Sequence, residues 1–361
     1  MERPKSLPRI VPSTIPELDG LRGLAILLVI VCHTQWTRSS TVDQILLTGR
    51  IGVDLFFVLS GFLITRILFA AKEREHAFRN FYARRILRIW PLYFLYLAVV
   101  FVGLRWILPG WVRPWPFFLF VQNSVYRSYV GPLLQPTWSL AVEEQFYLLW
   151  PLVVLKRSPR TALWVCAVCL GISPVIRLAA SFLTTGFFLE FNTLVRLDSI
   201  ALGCFIASLL TMRSISTHAW RRIGLGMALA GTAGTTICIL PSFTDTRLGY
   251  AFGYSFIALL FGGILLLALG SSPQGSFRRV LRGTWLRYCG RISFALYLFN
   301  FGIITMFRGN HPLALLSRLK LPPPELDVLI NLLAYGAMFI AATMSWYLLE
   351  SPILRLKRLF R

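Results

Sequence analysis

The sequence predicts an all-α fold: a polytopic transmembrane helical bundle of about ten spans with one short re-entrant or interfacial segment. Three observations carry that prediction. Of 361 residues, 56% are hydrophobic and only 14% are charged. The apolar residues arrive in long blocks rather than amphipathic stripes, as bilayer-spanning helices require. The Lys and Arg behind the net charge of +22 lie mostly in short runs between those blocks, where topology signals are found. Nucleic acid, the usual partner of such a charge in a soluble protein, is therefore set aside.

Taken in order, the basic N-terminus (1–19) leads into an apolar stretch that Asp19 and Arg22 interrupt. No small-residue cleavage site follows, so it reads as an uncleaved first span. Blocks long enough to cross fall at 20–37, 50–70, 89–109, 138–155, 161–180, 195–212, 222–241, 250–270, 290–307 and 327–349. Between the third and fourth, PWPFFLFVQNSV (114–125) is apolar but too short to cross, which makes it the re-entrant or interfacial piece. LPPPE at 321–325 is a short stiff loop.

Alternate connections carry 23 Lys and Arg, against seven on the opposite side. That bias places both termini, including the tail 350–361, in the cytoplasm and requires an even number of spans. No connection is long enough for a soluble domain, so residues 1–361 are expected to form one membrane domain. The cysteines fall within or beside apolar blocks. Cys166 and Cys169 make an isolated CxxC on one helical face, which suits small-residue helix packing better than a metal or redox site. No metal is expected.

Within this topology several ionisable residues meet at one depth. RGLAILLVIVCH (22–33) holds ten uncharged residues between Arg22 and His33. Eleven helical steps rise about 16 Å, so with Arg22 at one face His33 lies past the midplane of a ~30 Å core. GVDLFFVLSGFLIT places Asp54, PTWSLAVEEQFYLLWP places Glu143 and Glu144, and VRLDSIALG places Arg196 and Asp198 in the same outer third. Any one of these could simply join helices. Together they point to an interior site, because ionisable groups in spans usually face a cavity or pathway and histidine beside carboxylate positions a proton acceptor. Glu143 and Glu144 are about 100° apart on a helix. Glu143 is taken as the site residue, and Glu144 either packs or supports the site from behind.

On the cytoplasmic side, FRNFYARRILRIWP (78–91) concentrates Arg79, Arg84, Arg85 and Arg88 just before the third span. A topology signal alone would explain them. Arg84 and Arg88, four apart with Arg85 beside them, also form a fork suited to phosphate oxygens. In GRISFALYLFN, Ser293, Tyr297 and Asn300 share one helical face, where they either line a cavity or bridge helices.

These segments, with FYARRILRIWPLYF and the closing LLESP, resemble in order and spacing the integral-membrane acyltransferase-3 family, over essentially the whole chain. Its members acylate sugars of surface polysaccharides, Nod factors and periplasmic glucans, and also macrolides. The resemblance implies that Arg22 and His33 are essential, that Asp54 and Glu143 are the acidic site residues, and that Arg84, Arg85 and Arg88 handle acyl-CoA. Arg196, Asp198, Tyr297 and Asn300 join them as candidates for substrate binding. It further implies a bacterial inner-membrane protein using acetyl-CoA or another acyl-CoA as donor, a sugar-containing or macrolide-like acceptor, and membrane lipid as surroundings. Two departures stand out. Asn300 occupies a position where many relatives have histidine, and no hydrolase-like SGNH domain follows before Arg361. The acceptor is then recognised by the membrane domain or by a partner.

Transfer from a thioester to an alcohol needs a base, an oxyanion stabiliser and alignment of two substrates. His33 is assigned as base, oriented by Asp54 or Glu143; direct transfer and an acyl-enzyme on His33 are both compatible with the residues. The rival class is transport of a lipid-linked sugar or small molecule, with the buried His, Asp and Glu as a proton relay. Dependence on acyl-CoA separates the two.

Overall fold

The structure, a computed structural model, describes residues 15–34, 51–105, 108, 110–126, 128–183, 186–213, 216–239, 246–272, 274–309 and 322–360. Arg3, Lys5 and Arg9, the outer end of the first span at Trp36 to Arg38, and Leu321 of the stiff loop lie outside that set. Among the described residues all regular structure is helical.

Among the described residues, eleven longer helices follow the expected blocks. They are α1 (Pro16–Cys32), α2 (Gly52–Ala71), α3 (Ala77–Ala98), α4 (Thr137–Lys156), α5 (Pro159–Ala180), α6 (Leu197–Met212), α7 (Thr217–Ile239), α8 (Arg247–Gly270), α9 (Thr284–Arg291), α10 (Ser293–Phe307) and α11 (Pro323–Ser345). Among the described residues, five helical stretches are long and apolar enough to cross a membrane: Gly52–Ala71, Ala77–Gly103, Pro159–Ala180, Arg247–Gly270 and Glu325–Leu359. A sixth arises if α9 and α10, bent by 75° at their junction, count as one. The expectation of about ten spans thus holds only in its coarser form, several apolar helices of spanning length. At 17 and 16 residues, α1 and α6 are too short, and Glu143, Glu144 and Gln145 dilute the apolar run of α4.

Local chemistry sets several boundaries. Ser158 caps α5 by accepting from the Thr161 N–H at 3.2 Å, with Pro159 in the first turn. Thr246 caps α8 by accepting from the Gly249 N–H at 3.0 Å. The third expected span starts twelve residues earlier than its apolar block, at Ala77, and ends in a π-helical turn, Val99–Gly103. The ninth is broken at Ile292, so its first residues belong to the amphipathic α9 instead.

The chain divides into two compact units. One comprises Met1–Arg22, Asp54–Glu75 and Tyr147–Tyr288. Its centre is α6, on which ten residues from Asp198 to Ser208 are buried. A Cβ on Gly61 of α2 would collide with the Ile200 carbonyl, and one on Gly203 of α6 with the Val58 carbonyl. Glycine at both positions lets the two backbones touch, the small-residue device of helix packing in lipid.

The other unit comprises Gly23–Val53, His76–Phe146 and Cys289–Arg361. There the 114–125 piece forms two four-residue helices, Trp115–Phe118 and Gln122–Val125. It is fastened rather than loose: Tyr93 Oη donates to the Phe117 carbonyl at 3.0 Å, and Gln122 Nε2 to the Thr137 carbonyl at 2.8 Å. Phe120 between them adopts a φ of 54°, uncommon for a bulky residue. It is held there by stacking on Tyr93 at 4.8 Å and by Gln145 Nε2, which donates to its carbonyl at 2.7 Å.

Candidate active site

In the first unit, Asp54 sits in the first turn of α2. Its carboxylate accepts from Arg196 Nη2 at 2.9 Å and from Ser199 Oγ at 2.7 Å. The pair is buried, with 1% and 3% of the side chains exposed. Asp198 accepts from Arg177 Nη2 and Ser255 Oγ, both at 2.7 Å. Arg177 also donates Nε to the Ala251 carbonyl at 2.8 Å and Nη1 to the Val195 carbonyl at 2.5 Å. The Tyr254 ring centre lies 3.8 Å from the Arg196 guanidinium carbon and 5.7 Å from that of Arg177. Two cations and two anions are therefore neutralised within one buried cluster, as ions in an apolar interior must be.

Sequence reasoning singled out Asp54, Arg196 and Asp198 and missed Arg177. Its signal was a single arginine inside the otherwise apolar SPVIRLAA. Arg22, which ends the first of this unit's three segments, is half-buried and makes no hydrogen bond or ion pair among the described residues.

Glu17, also missed, lies ahead of the first apolar block. It is buried and accepts from Arg278 Nε at 2.5 Å and Arg282 Nε at 2.7 Å. Burial pushes its carboxyl up, but its own backbone N–H and the two guanidinium groups outweigh burial and hold it below the usual glutamate value. A carboxyl depressed by folding contributes stability that is complete above the unfolded value of 4.5 and is lost as pH falls through the lower, folded value. Wild-type protein is expected to lose thermal stability as pH drops from 7 through this window. Glu17→Gln should melt lower at pH 7 and show a smaller drop on acidification, read from melting curves in detergent. Parallel curves for the two proteins would count against the clamp.

In the second unit, His33 follows the last residue of α1. Its Nδ1 is 2.8 Å from the Val29 carbonyl. A carbonyl can only accept, so Nδ1 carries the proton and Nε2 presents a lone pair. Phe301 stacks on the ring, with centroids 4.6 Å apart. Next door, Thr34 Oγ1 donates to the Ile30 carbonyl at 2.8 Å and accepts from Tyr335 Oη at 2.8 Å. Side chains of α10 and α11 thereby fix the turn that carries the histidine.

Tyr297 Oη donates to the Pro136 carbonyl at 3.0 Å and lies 2.6 Å from Ser139 Oγ. A phenol has one proton, so Ser139 donates to Tyr297, and Tyr297 ties α10 to the start of α4. Of the two readings of this face, Tyr297 takes the helix-bridging one. Asn300, fully buried, donates Nδ2 to the Leu296 and Tyr297 carbonyls of its own helix at 3.3 and 2.6 Å.

Glu143 is half-buried. Glu144 Oε2 accepts from Trp90 Nε1 at 3.2 Å, and Arg85 interacts with the same carboxyl electrostatically. Arg84 Nε donates to the Phe360 carbonyl at 2.7 Å, and Arg88 interacts with Glu350. Glu350, buried at the end of a π-helical turn, also accepts from Ser345 Oγ at 3.1 Å. The sequence carried this glutamate in LLESP without assigning it a place in the site. One expectation is corrected here. The arginines were placed ahead of the third span, on the opposite side of the bilayer from the glutamates. They lie instead inside α3, and the Trp90–Glu144 bond sets Arg85, Arg88, Glu143 and Glu144 at a common level along α3 and α4.

Long apolar helices with buried ion pairs within them define a helical protein of membrane type. Residues 15–350 match the acyltransferase domain family, and the chain belongs to it. It is similar to the peptidoglycan O-acetyltransferase OatA of Listeria monocytogenes, at 29% identity over 94% of this chain and 56% of that protein. It is also similar to the O-acetyltransferase OatA of Staphylococcus aureus, at 25% identity over 95% of this chain and 57% of that one. The chain thus spans a little over half the length of these relatives. No solved structure matches it.

Proposed function

We propose that the protein is a membrane O-acyltransferase that moves an acyl group, acetyl in the first instance, from acyl-CoA to a hydroxyl of a sugar-containing acceptor. The observation that carries this is His33: a family member's histidine whose Nδ1–H is committed to the Val29 carbonyl, leaving Nε2 as base. Nε2 takes the proton of the acceptor hydroxyl as its oxygen attacks the thioester carbon. The tetrahedral oxyanion collapses, the C–S bond breaks, and the departing CoA thiolate receives the proton from the imidazolium. The Val29 carbonyl stabilises that imidazolium while it exists. The O-acetyltransferase names of the two relatives support acetyl as the group, and the peptidoglycan in the Listeria protein's name supports a cell-wall glycan as the acceptor class.

Purified protein in nanodiscs, given acetyl-CoA and a soluble glycan fragment, is expected to release CoA and form an O-acetyl ester detectable by mass. Neither binding nor consumption of acetyl-CoA would return the chain to the transport reading.

Arg84, Arg85 and Arg88 are assigned to the CoA phosphates; within the first unit, Asp54 and Arg196 hold α2 to the start of α6. Arg84→Lys with Arg88→Lys keeps the charge but loses the planar fork. The double variant is expected to weaken acyl-CoA binding about tenfold by calorimetry, at unchanged expression. Unaltered affinity would return these arginines to a topological role.

A further inference from the structure

In the second unit, α11 turns its polar residues inward. Asp327, Asn331 and Tyr335 stand four residues apart, so they lie one above another on successive turns, along about 12 Å of helix. Ala334 and Met338 on that side are buried, whereas Leu332, Leu333 and Ile340 on the opposite side are exposed. Polar groups turned inward on an apolar helix of spanning length usually line a cavity or pathway. This stripe is joined from end to end. Arg308, which closes α10, lies 3.6 Å from the Asp327 carboxylate and donates Nη2 to Asn331 Oδ1 at 2.8 Å. One turn further, Tyr335 Oη donates to Thr34 Oγ1 at 2.8 Å, in the turn that carries His33. Asp327 and Arg308 are 23% and 20% exposed while Asn331 is buried, so the stripe is accessible at its Asp327 end and leads to the histidine.

An aromatic group flanks the same histidine. The Tyr129 ring, half exposed, is centred 6.4 Å from that of Phe301, which itself stacks on His33. An accessible ring beside a ladder of carboxylate, guanidinium, amide and phenol is the chemistry that recognises a sugar. The negative face of the ring meets the polarised C–H bonds of a pyranose, and the ladder offers acceptors and donors to its hydroxyls. Because Arg308 offsets Asp327, the face suits an uncharged polyol better than an anion.

We infer that the acceptor is seated at His33 by these two elements, its sugar ring against Tyr129 and its hydroxyls along the Asp327–Asn331–Tyr335 face. Seating of this kind presents one hydroxyl to the histidine in a fixed orientation. The inference rests on the reading of the chain as an O-acyltransferase with His33 as base, and the test separates the two claims.

In the nanodisc assay with an uncharged, soluble glycan fragment, Tyr129→Leu is expected to raise KM for the glycan about fivefold and Asp327→Ala about tenfold. Those are the scales of one aromatic contact and one charge-assisted hydrogen bond. Turnover at saturating glycan should stay within about twofold, because the lost contacts serve ground state and transition state alike. Acyl-CoA affinity, read by calorimetry, should not follow the rise. Tyr129→Phe keeps the ring and is expected to keep KM near wild type. Asp327→Asn keeps the shape but loses the charge; its KM should fall between wild type and Asp327→Ala, and it supplies the measurement if the alanine variant fails to fold. A face that only ties α10 to α11 would lower the melting temperature of the Asp327 variants and leave KM for the glycan unmoved. Wild-type KM in Tyr129→Leu, or in whichever Asp327 variant folds, overturns the acceptor seat while leaving the acyltransferase reading intact. A wild-type protein that consumes no acyl-CoA overturns that reading and this inference with it.

Discussion

His33→Ala is expected to remain folded in the membrane yet lose acyl transfer by ~10²- to 10⁴-fold, the usual contribution of a positioned general base. Folding should survive because the ring's contacts are few and local: a bond to the carbonyl of its own helix and a stack on Phe301. The turn itself is held by Thr34 and Tyr335, which the substitution leaves in place. Turnover within a few-fold of wild type, measured as CoA release at equal protein, would remove the histidine from the chemistry.

Arg177→Met is expected to have the largest effect on stability, because it leaves the buried Asp198 carboxylate with the Ser255 hydroxyl and the Ser199 N–H but without its paired guanidinium. Breaking a buried ion pair from one side typically costs ~3–5 kcal/mol, whereas replacing both partners with apolar groups of similar volume is often neutral. The double variant Arg177→Met with Asp198→Leu should therefore recover much of the melting temperature lost by the single one. A single variant that melts with wild type would show that the pair contributes nothing net. A double variant no better than the single would move the effect to the carbonyls of Ala251 and Val195, which Arg177 also serves.

Much of the architecture was legible because bilayer helices are written as apolar blocks, and the helical cores of α2, α5, α8 and α10 fall where those blocks do. Boundaries were less legible where polar residues belong to a helix: α3 takes in Arg79 to Arg88, which composition alone assigns to a connection. The break at Ile292 follows Gly290 and Arg291 at the very start of the expected block, where hydropathy alone does not separate a bent junction from a span end. In the site, Asp54, Arg196 and Asp198 were found as charges out of place, and the structure pairs them. Arg177 and Glu17 obey the same rule and were passed over because each stood outside any recognisable motif. That Asn300 gives its amide hydrogens to its own helix is invisible in sequence, since the carbonyls a buried amide meets depend on the fold.

The unbroken run of α1 from Arg22 to Cys32 fixes an angle as well as a length. At 3.6 residues per turn, eleven helical steps complete about three turns, and α1 supplies ten of them before His33 enters the turn that closes the helix. A spacer of ten is thus one of a discrete set of phase-matched lengths. Adding one residue would swing the histidine by about 100° while moving it only about 1.5 Å, and adding a whole turn would do the reverse. Azimuth, more than reach, is what the number of residues between Arg22 and His33 sets.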